Sequence, residues 1–538
     1  MAYQPDLNET SVKQVAGKSQ EKDRLRNWAL PPQGLRFLII ILLILGVFFR
    51  FSNLDKKVYW RDEAITSLQI SGYTKEEVVR EAFTGNVIGI EDLQKYVQIN
   101  PEKGLGDSIQ SLIKEDPQHP PLYVMLGRFG VDLFGNSVAV TRSLSAVMSL
   151  LVLPCIYWLC LELFDSSLVG WIAVALIAVS PFHVLYAQEA REYSMWMVTI
   201  LLSSAALLRA MRLKTKSSWG IYAATLILGF YTYLLSILIA IGHGIYVIAV
   251  ERFRLNKTTI AYLVSSLVAS IIFIPWLVQI HEVDAASWTD DKLPFLSLVK
   301  AWIGAFRRVF LDLHFNIAVF ENYLVMPFII AFLSLVIYSL YFVCRQTHIR
   351  VWVFIFTLIG VTGLTLILPD LIFGGQRSAI ARYLTPCYLG IQLAVAYLLA
   401  TKIFSGSQQQ LWKGITTALF LAGVVSCASM PMTETSWHKA TNSPQLAPII
   451  NKANKPLLIS TNHYDNVSEI LSYSYLLEPK VKLQLVTEPN LPKIAGGFSD
   501  VFVLHPSKEW RSKLEKEQNY KINLLEKGQY WLWKLEKK

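Results

Sequence analysis

The chain has 538 residues, of which 53% are hydrophobic and only 17% are charged, and its mean hydropathy is +0.38. Soluble domains carry about 25% charged residues, so this composition excludes an ordinary soluble enzyme and points to a protein immersed in lipid. The net charge of +10 then reads as Lys and Arg gathered on cytoplasmic loops, and no nucleic-acid partner is expected.

Residues 1–35 form a polar tail containing Lys22, Arg24 and Arg26. The first apolar run, 36–49 (RFLIIILLILGVFF), has no small-residue cleavage site after it and reads as a retained signal anchor. Apolar runs at about 36–54, 138–163, 168–184, 193–210, 219–234, 236–250, 258–279, 321–344, 350–368, 383–404 and 411–430 predict eleven membrane spans. Within 219–250, Tyr231, Tyr233 and Ser236 interrupt the pattern, which fits either two short helices or one long one. Segment 121–135, with Arg128 and Asp132, is too short and too mixed to span and reads as an interfacial or half-inserted helix.

The short loops 209–216, 251–257 and 345–350 are basic and fall on one side with the N-terminal tail. That side is cytoplasmic by the positive-inside rule, and the slightly acidic loop 164–167 is the exception. An odd number of spans puts the C-terminal tail outside. The expected location is the bacterial inner membrane.

Two long outer loops and the tail carry local structure. In loop 55–120, Thr74 and Glu77 form a capping box for a helix through Phe83, and Asp107 caps another through Glu115. In loop 280–320, Trp288, Trp302, Phe306 and Phe310 lie among Arg307 and Arg308, a mixture suited to a membrane interface. The tail 431–538 reads as a separate soluble α/β domain, with strand-like runs at 456–460, 481–486, 500–504 and 529–535 and a helical pattern at 466–477. Gly496–Gly497 lacks the surroundings of a dinucleotide fingerprint. The five cysteines, Cys155, Cys160, Cys344, Cys387 and Cys427, lie in or beside apolar runs and read as buried hydrophobes, not as a disulfide or zinc framework. The fold class is thus an α-helical polytopic membrane protein, transmembrane over 36–430, with a small C-terminal α/β domain.

Charged groups converge on the outer face from four places. Asp62 and Glu63 stand in YWRDEAITSLQI after the first span, and His119 stands in QHPPLY. Gln188, Glu189, Arg191 and Glu192 stand in YAQEAREYS, and Arg377, Arg382 and Tyr383 in GGQRSAIARYLTP. Any one of them could be a surface or snorkelling residue, but ionisable groups beside hydrocarbon are costly, and four loops delivering them at one depth need a reason.

The segments YWRDEAITS, HPPLYVMLGRFGVDLFGNSVAVTRSLSA and SPFHVLYAQEAREYSMW, in that order, resemble the GT-C membrane glycosyltransferases. The nearest likeness is to glycosyltransferase family 39, the protein O-mannosyltransferases and aminoarabinose transferases. It runs over residues 36–400. The resemblance implies a donor sugar on a polyprenyl phosphate, used on the outer face, and an acceptor that is a glycan, a lipid or a protein. It implies Asp62 as the catalytic base, with Glu63 beside it either orienting Asp62 or holding an arginine. The tail does not resemble the β-trefoil domain of eukaryotic mannosyltransferases, so eukaryotic-type protein mannosylation is not expected.

The residue chemistry fits that reaction on its own terms. An attacking hydroxyl must lose a proton, which a carboxylate such as Asp62 can take. The leaving phosphate needs positive charge, for which Arg191, Arg377 and Arg382 are the candidates. Trp60, Arg61, His119, Gln188, Glu189, Tyr193 and Tyr383 are the remaining candidates for substrate contact. The reaction expected is a single-displacement, inverting transfer. No metal-ligand spacing is present, so no cofactor is expected; a divalent ion would need His183, His119, Glu63 and Glu189 to approach one another. Two other functions share these features. A lipid-linked-sugar transporter should show mid-membrane charges and repeat symmetry, which are absent here. An oligosaccharide polymerase or ligase also works at the outer face.

Overall fold

The computed structural model describes residues 31–280, 287–312, 326–405, 408–432, 443–518, 520–526 and 531–537. Lys22, Arg24 and Arg26, parts of loop 280–320, the start of the span at 321–344 and the segment joining the tail lie outside the described residues.

Each apolar run is helical where it is described. The first span is α1 (Gln33–Phe51). The loop after it builds α2 (Arg61–Ser71), α3 (Lys75–Ala82), strand β1 (Thr84–Ile88), α4 (Ile90–Gln94), α5 (Leu105–Glu115) and α6 (Leu122–Phe134). The membrane part continues through α7 (Val138–Phe164), α8 (Ser167–Ala178), α9 (Pro181–Ala187), α10 (Tyr193–Leu213), α11 (Lys216–Thr232), α12 (Ser236–Val250) and α13 (Lys257–Leu277). Helix α14 (Phe295–Arg307) precedes α15 (Met326–Gln346), α16 (Ile349–Ile372), α17 (Thr385–Ser405) and α18 (Gln409–Ser429).

Among the described residues, eight helices are long and apolar enough to cross a membrane, and α8 with α9, bent by 61°, makes a ninth if counted as one span. The eleven expected spans therefore resolve into eight full ones, one broken one and two short helices. Helices α11 and α12 have 17 and 15 residues; at 1.5 Å per residue they rise about 22–26 Å, less than a ~30 Å hydrocarbon core. The break between them falls at Tyr233–Leu235, so 219–250 is two helices. The α8–α9 break has a local cause: Ser180 and Pro181 begin a new helix, with proline at its first position where no amide is needed.

The expected capping box is present, with Glu77 N donating to Thr74 Oγ1 at 3.1 Å and Thr74 N to Glu77 Oε2 at 2.8 Å. At the next helix the N-cap is Gly104; Asp107 works from the third position, accepting from Gly104 N at 2.7 Å. Helix α6 is buried along one side, where Arg128 reaches the Lys103 and Ile70 carbonyls at 2.6 and 3.2 Å, and its Phe129, Leu133 and Phe134 are exposed.

After α18 come α19 (Ser443–Asn451), β2 (Pro456–Thr461), α20 (Asn466–Tyr473), β3 (Lys482–Val486), β4 (Asp500–Leu504), α21 (Lys508–Glu517), β5 (Tyr520–Glu526) and β6 (Leu532–Lys537). Four strands match the expected runs, and β5 and α21 are additional. The sheet order is β1-β3-β2-β4-β6-β5. Strand β2 is parallel to both β3 and β4, and the outer pairings are antiparallel. The sheet is not confined to the tail: β1, from the loop after α1, pairs with β3 through Val87–Gln484 and Ile88–Leu483. Helix α20 packs on α2, where Ser472 Oγ donates to the Tyr59 carbonyl at 2.5 Å. One apolar cluster runs from Ala64 and Leu68 of α2 to Ile470 and Leu471 of α20 and Leu458 and Leu483 of the sheet.

Candidate active site

A cavity of about 620 Å³ opens where α2, the segment before α6, the loop before α10, the α11–α12 break, the segment before α17 and the β2–α20 loop meet. Eight of the residues singled out from the sequence line it: Trp60, Arg61, Asp62, His119, Arg191, Arg377, Arg382 and Tyr383. Helix α2 positions Asp62 in its first turn, where a carboxylate also faces the positive end of the helix. The helix is held on all sides, with residues 63–71 buried, and its polar side chains are satisfied internally. Thr66 Oγ1 donates to the Asp62 carbonyl at 2.9 Å, and Ser67 and Tyr59 share a hydrogen bond at 2.6 Å.

Glu63 is elsewhere. It is fully buried, and its carboxylate accepts from Arg142 Nε and Nη2 at 2.7 and 2.6 Å and from Ala190 N at 2.8 Å. Arg142 in turn caps the Leu54, Lys57 and Val58 carbonyls. Of the two roles open to Glu63, it holds an arginine, and it lies outside the cavity lining, which corrects its place among the catalytic candidates. Gln188, Glu189 and Tyr193 also lie outside the lining. Gln188 ties α1 down by donating to the Phe49 and Ser52 carbonyls at 2.7 and 3.0 Å. Glu189 is buried. Tyr193 is buried with its ring against the guanidinium groups of Arg191 and Arg382, 5.8 and 5.5 Å from the ring centre, so it positions both cations.

The three arginines differ in their partners. Arg377 pairs with Asp370 and with Asp290, so its charge is compensated within the protein. Arg191 donates to Thr66 Oγ1 at 3.0 Å, meets His119 at 3.1 Å and lies 3.4 Å from Glu192. Arg382 is stacked between Tyr193 and Tyr383, its Nε is buried with no hydrogen-bond partner, and no carboxylate pairs with it among the described residues.

His119 Nδ1 lies 2.9 Å from Glu192 Oε1, and its other nitrogen lies 3.8 Å from Asp116. Burial opposes the charged imidazolium, but the two carboxylates outweigh it and raise the His119 pKa above its ordinary value. Burial likewise works to raise Glu192, but Arg191 and His119 bring it down to about 2. Of the four side chains considered for a metal, His183 is buried in α9 against Gln392, 2.8 Å away, and does not line the cavity. Among the described residues no group of three or more His, Cys, Asp or Glu side chains is arranged to hold a metal ion.

Several lining residues escape a sequence reading: Lys75, Asp116, Gln118, Tyr233, Leu234, Leu235, Tyr464, Asp465 and Ser468. Tyr233 carries a signal, because it interrupts an apolar run. Asp116 stands three residues before His119 in the same polar stretch. Asp465 and its neighbours carry none, because they reach the cavity through the sheet. In total the lining holds the cations Arg61, Lys75, Arg191, Arg377 and Arg382 against the carboxylates Asp62, Asp116 and Asp465.

Residues 118–278 match the family model described as dolichyl-phosphate-mannose-protein mannosyltransferase. The structure of ArnT from Cupriavidus metallidurans bound to undecaprenyl phosphate aligns with a TM-score of 0.50 and 12% identity, over 92% of this chain and 98% of that one. The fold is that of the GT-C membrane glycosyltransferases. The family match covers the His119 and Arg191 segments, under a third of the chain. The apo oligosaccharyltransferase of Archaeoglobus fulgidus aligns with a TM-score of 0.46 and 11% identity, over 84% of this chain and 64% of that one. No curated protein matches the sequence. The matched residues 118–278 contain His119, Arg191 and Tyr233, whereas Asp62, Arg382 and Asp465 lie outside them.

Proposed function

We propose that this protein is a GT-C glycosyltransferase that moves a sugar from a polyprenyl-phosphate donor to an acceptor hydroxyl on the non-cytoplasmic face, in one inverting displacement with Asp62 as base. The observation that carries the reading is that Asp62 shares a cavity with Arg382, a half-buried guanidinium with no carboxylate within salt-bridge distance among the described residues. The acceptor oxygen attacks the anomeric carbon as its proton passes to Asp62. The bond from that carbon to the phosphate oxygen breaks, and the electron pair leaves with the polyprenyl phosphate. Arg382 and Arg191 meet the charge that develops there, and Arg377, already paired twice, is the weakest of the three candidates. Leu234, Leu235 and Leu366 on the membrane side suit the start of an isoprenoid chain. The ligand named for the Cupriavidus ArnT structure, undecaprenyl phosphate, is a product of this kind of reaction, which supports the donor class.

The test is Asp62→Asn in purified enzyme given a panel of polyprenyl-phosphate sugars. Transfer should fall by roughly 10²–10⁴-fold, the usual contribution of a positioned base, with the melting temperature preserved. Turnover near the wild-type rate would overturn the assignment.

A further inference from the structure

The cavity has two walls of different chemistry. Arg382, Tyr383, Tyr233 and Leu366 come from the membrane helices, whereas Tyr464, Asp465 and Ser468 come from the C-terminal unit. The latter three follow the carboxyl end of β2. Its parallel neighbours β3 and β4 lie on opposite sides of it, so the chain leaves β2 one way and returns on the other. Open α/β sheets bind ligands at such a point, beyond the strand ends.

Asp465 is keyed to the catalytic helix. One oxygen lies 3.3 Å from Arg61, the neighbour of Asp62, and the other lies 3.6 Å from Lys75. Ser468 Oγ donates to Asp465. Tyr464 differs from both. It lines the cavity yet is 74% exposed, and its hydroxyl has no hydrogen bond among the described residues. Its φ is +51°, a region that L-residues rarely occupy. An aromatic ring held out over a cavity, with a carboxylate and a hydroxyl beside it, matches a sugar: the ring covers the sugar's C–H face, and the polar groups meet its hydroxyls.

We propose that Tyr464, Asp465 and Ser468 form the acceptor subsite and that the acceptor is itself a sugar. Stacked on Tyr464, it presents one hydroxyl to Asp62 while the donor phosphate sits on the Arg382 side. This rests on the glycosyl-transfer reading above and adds the acceptor's class and location. The bond chemistry is unchanged: the acceptor proton goes to Asp62, and the leaving electron pair goes to the polyprenyl phosphate.

The experiment uses the full chain in lipid nanodiscs with a polyprenyl-phosphate sugar. Octyl glycosides and an N-octanoyl serine peptide serve as rival acceptors, and undecaprenyl phosphate serves as the donor-site binding probe. The octyl glycosides should be modified. Tyr464→Ala should raise their KM by about tenfold, the scale of a lost aromatic stack, with melting temperature and undecaprenyl phosphate affinity unchanged. Tyr464→Trp should keep a near-native KM. Modification of the serine peptide with the glycosides untouched would overturn the proposal, as would an unmoved KM in Tyr464→Ala. An inactive Asp62→Asn enzyme alongside that unmoved KM would sink the acceptor assignment alone, whereas an active Asp62→Asn enzyme would sink the base reading.

Discussion

His119 and Glu192 stand 2.9 Å apart at the cavity wall, each favouring the other's charged form. The signs of their contributions differ. The raised His119 pKa stabilises the fold fully below its ordinary value of about 6.5, and that contribution is lost as pH rises through the raised value. The depressed Glu192 pKa stabilises above the ordinary value of about 4.5, and that contribution is lost as pH falls toward about 2. Melting temperature should therefore decline between pH 6 and pH 9, and His119→Gln should flatten that decline; a parallel decline in both proteins would assign it to other groups. Sequence singled out both His119 and Glu192 but could not pair them, because the two are 73 residues apart. The neighbours Asp62 and Glu63 show the opposite limit. One residue along a helix turns the side chain by about 100°, which is enough to send Asp62 to the cavity and Glu63 into a buried pair with Arg142. Two adjacent acidic letters do not say which one faces the cavity.

The break between α8 and α9 shows what periodicity hides at the scale of an element. The run 168–184 is apolar but for Ser180 and His183, so sequence reads one span, and only the Ser180–Pro181 pair hints at the bend. A bend releases backbone carbonyls, and in a membrane these need partners. Arg50 of α1 provides them, donating to Ile177 and Ala178 at 3.0 and 2.6 Å, to Gly46 at 2.8 Å and to Ser149 Oγ at 2.9 Å. Glycines let the helices close in: a Cβ at Gly46 would lie 2.7 Å from the Ala178 carbonyl, and one at Gly423 would lie 2.5 Å from that of Val179. Position 50, at the end of the first span, looks from sequence like an ordinary snorkelling cation. Arg50→Met should instead lower stability by at least about 3 kcal/mol, since orphaned buried polar groups cost about 1–3 kcal/mol each. Exposed Arg36 on the same helix gives the control, with an effect within about 0.5 kcal/mol. Equal melting temperatures for the two variants would remove the capping role.

The whole molecule is organised around a union that no local pattern announces. Sequence distinguished the membrane part from the α/β tail by composition and found four of the six strands. It missed β1 because Thr84–Ile88 contains Gly85 and Asn86, poor strand formers, and because its partner β3 lies some 400 residues away. Gln484 donating to the Gly85 carbonyl at 2.8 Å, across 399 positions, is the kind of contact that only the fold can supply. Since α2 and α20 bury their apolar faces in one cluster, the helix that carries Asp62 depends on the tail for its packing as well as for a cavity wall. Elements that share a core open together. Leu471, fully buried in α20, tests this. Leu471→Ala should cost about 2–5 kcal/mol, as deletions at well-packed sites do. In hydrogen-exchange measurements on the full chain, protection should fall in α2 as much as in β2, and much less in α10, which belongs to the other core. Loss of protection confined to residues 443–537 would mean that the tail unfolds by itself and that α2 keeps Asp62 in place without it.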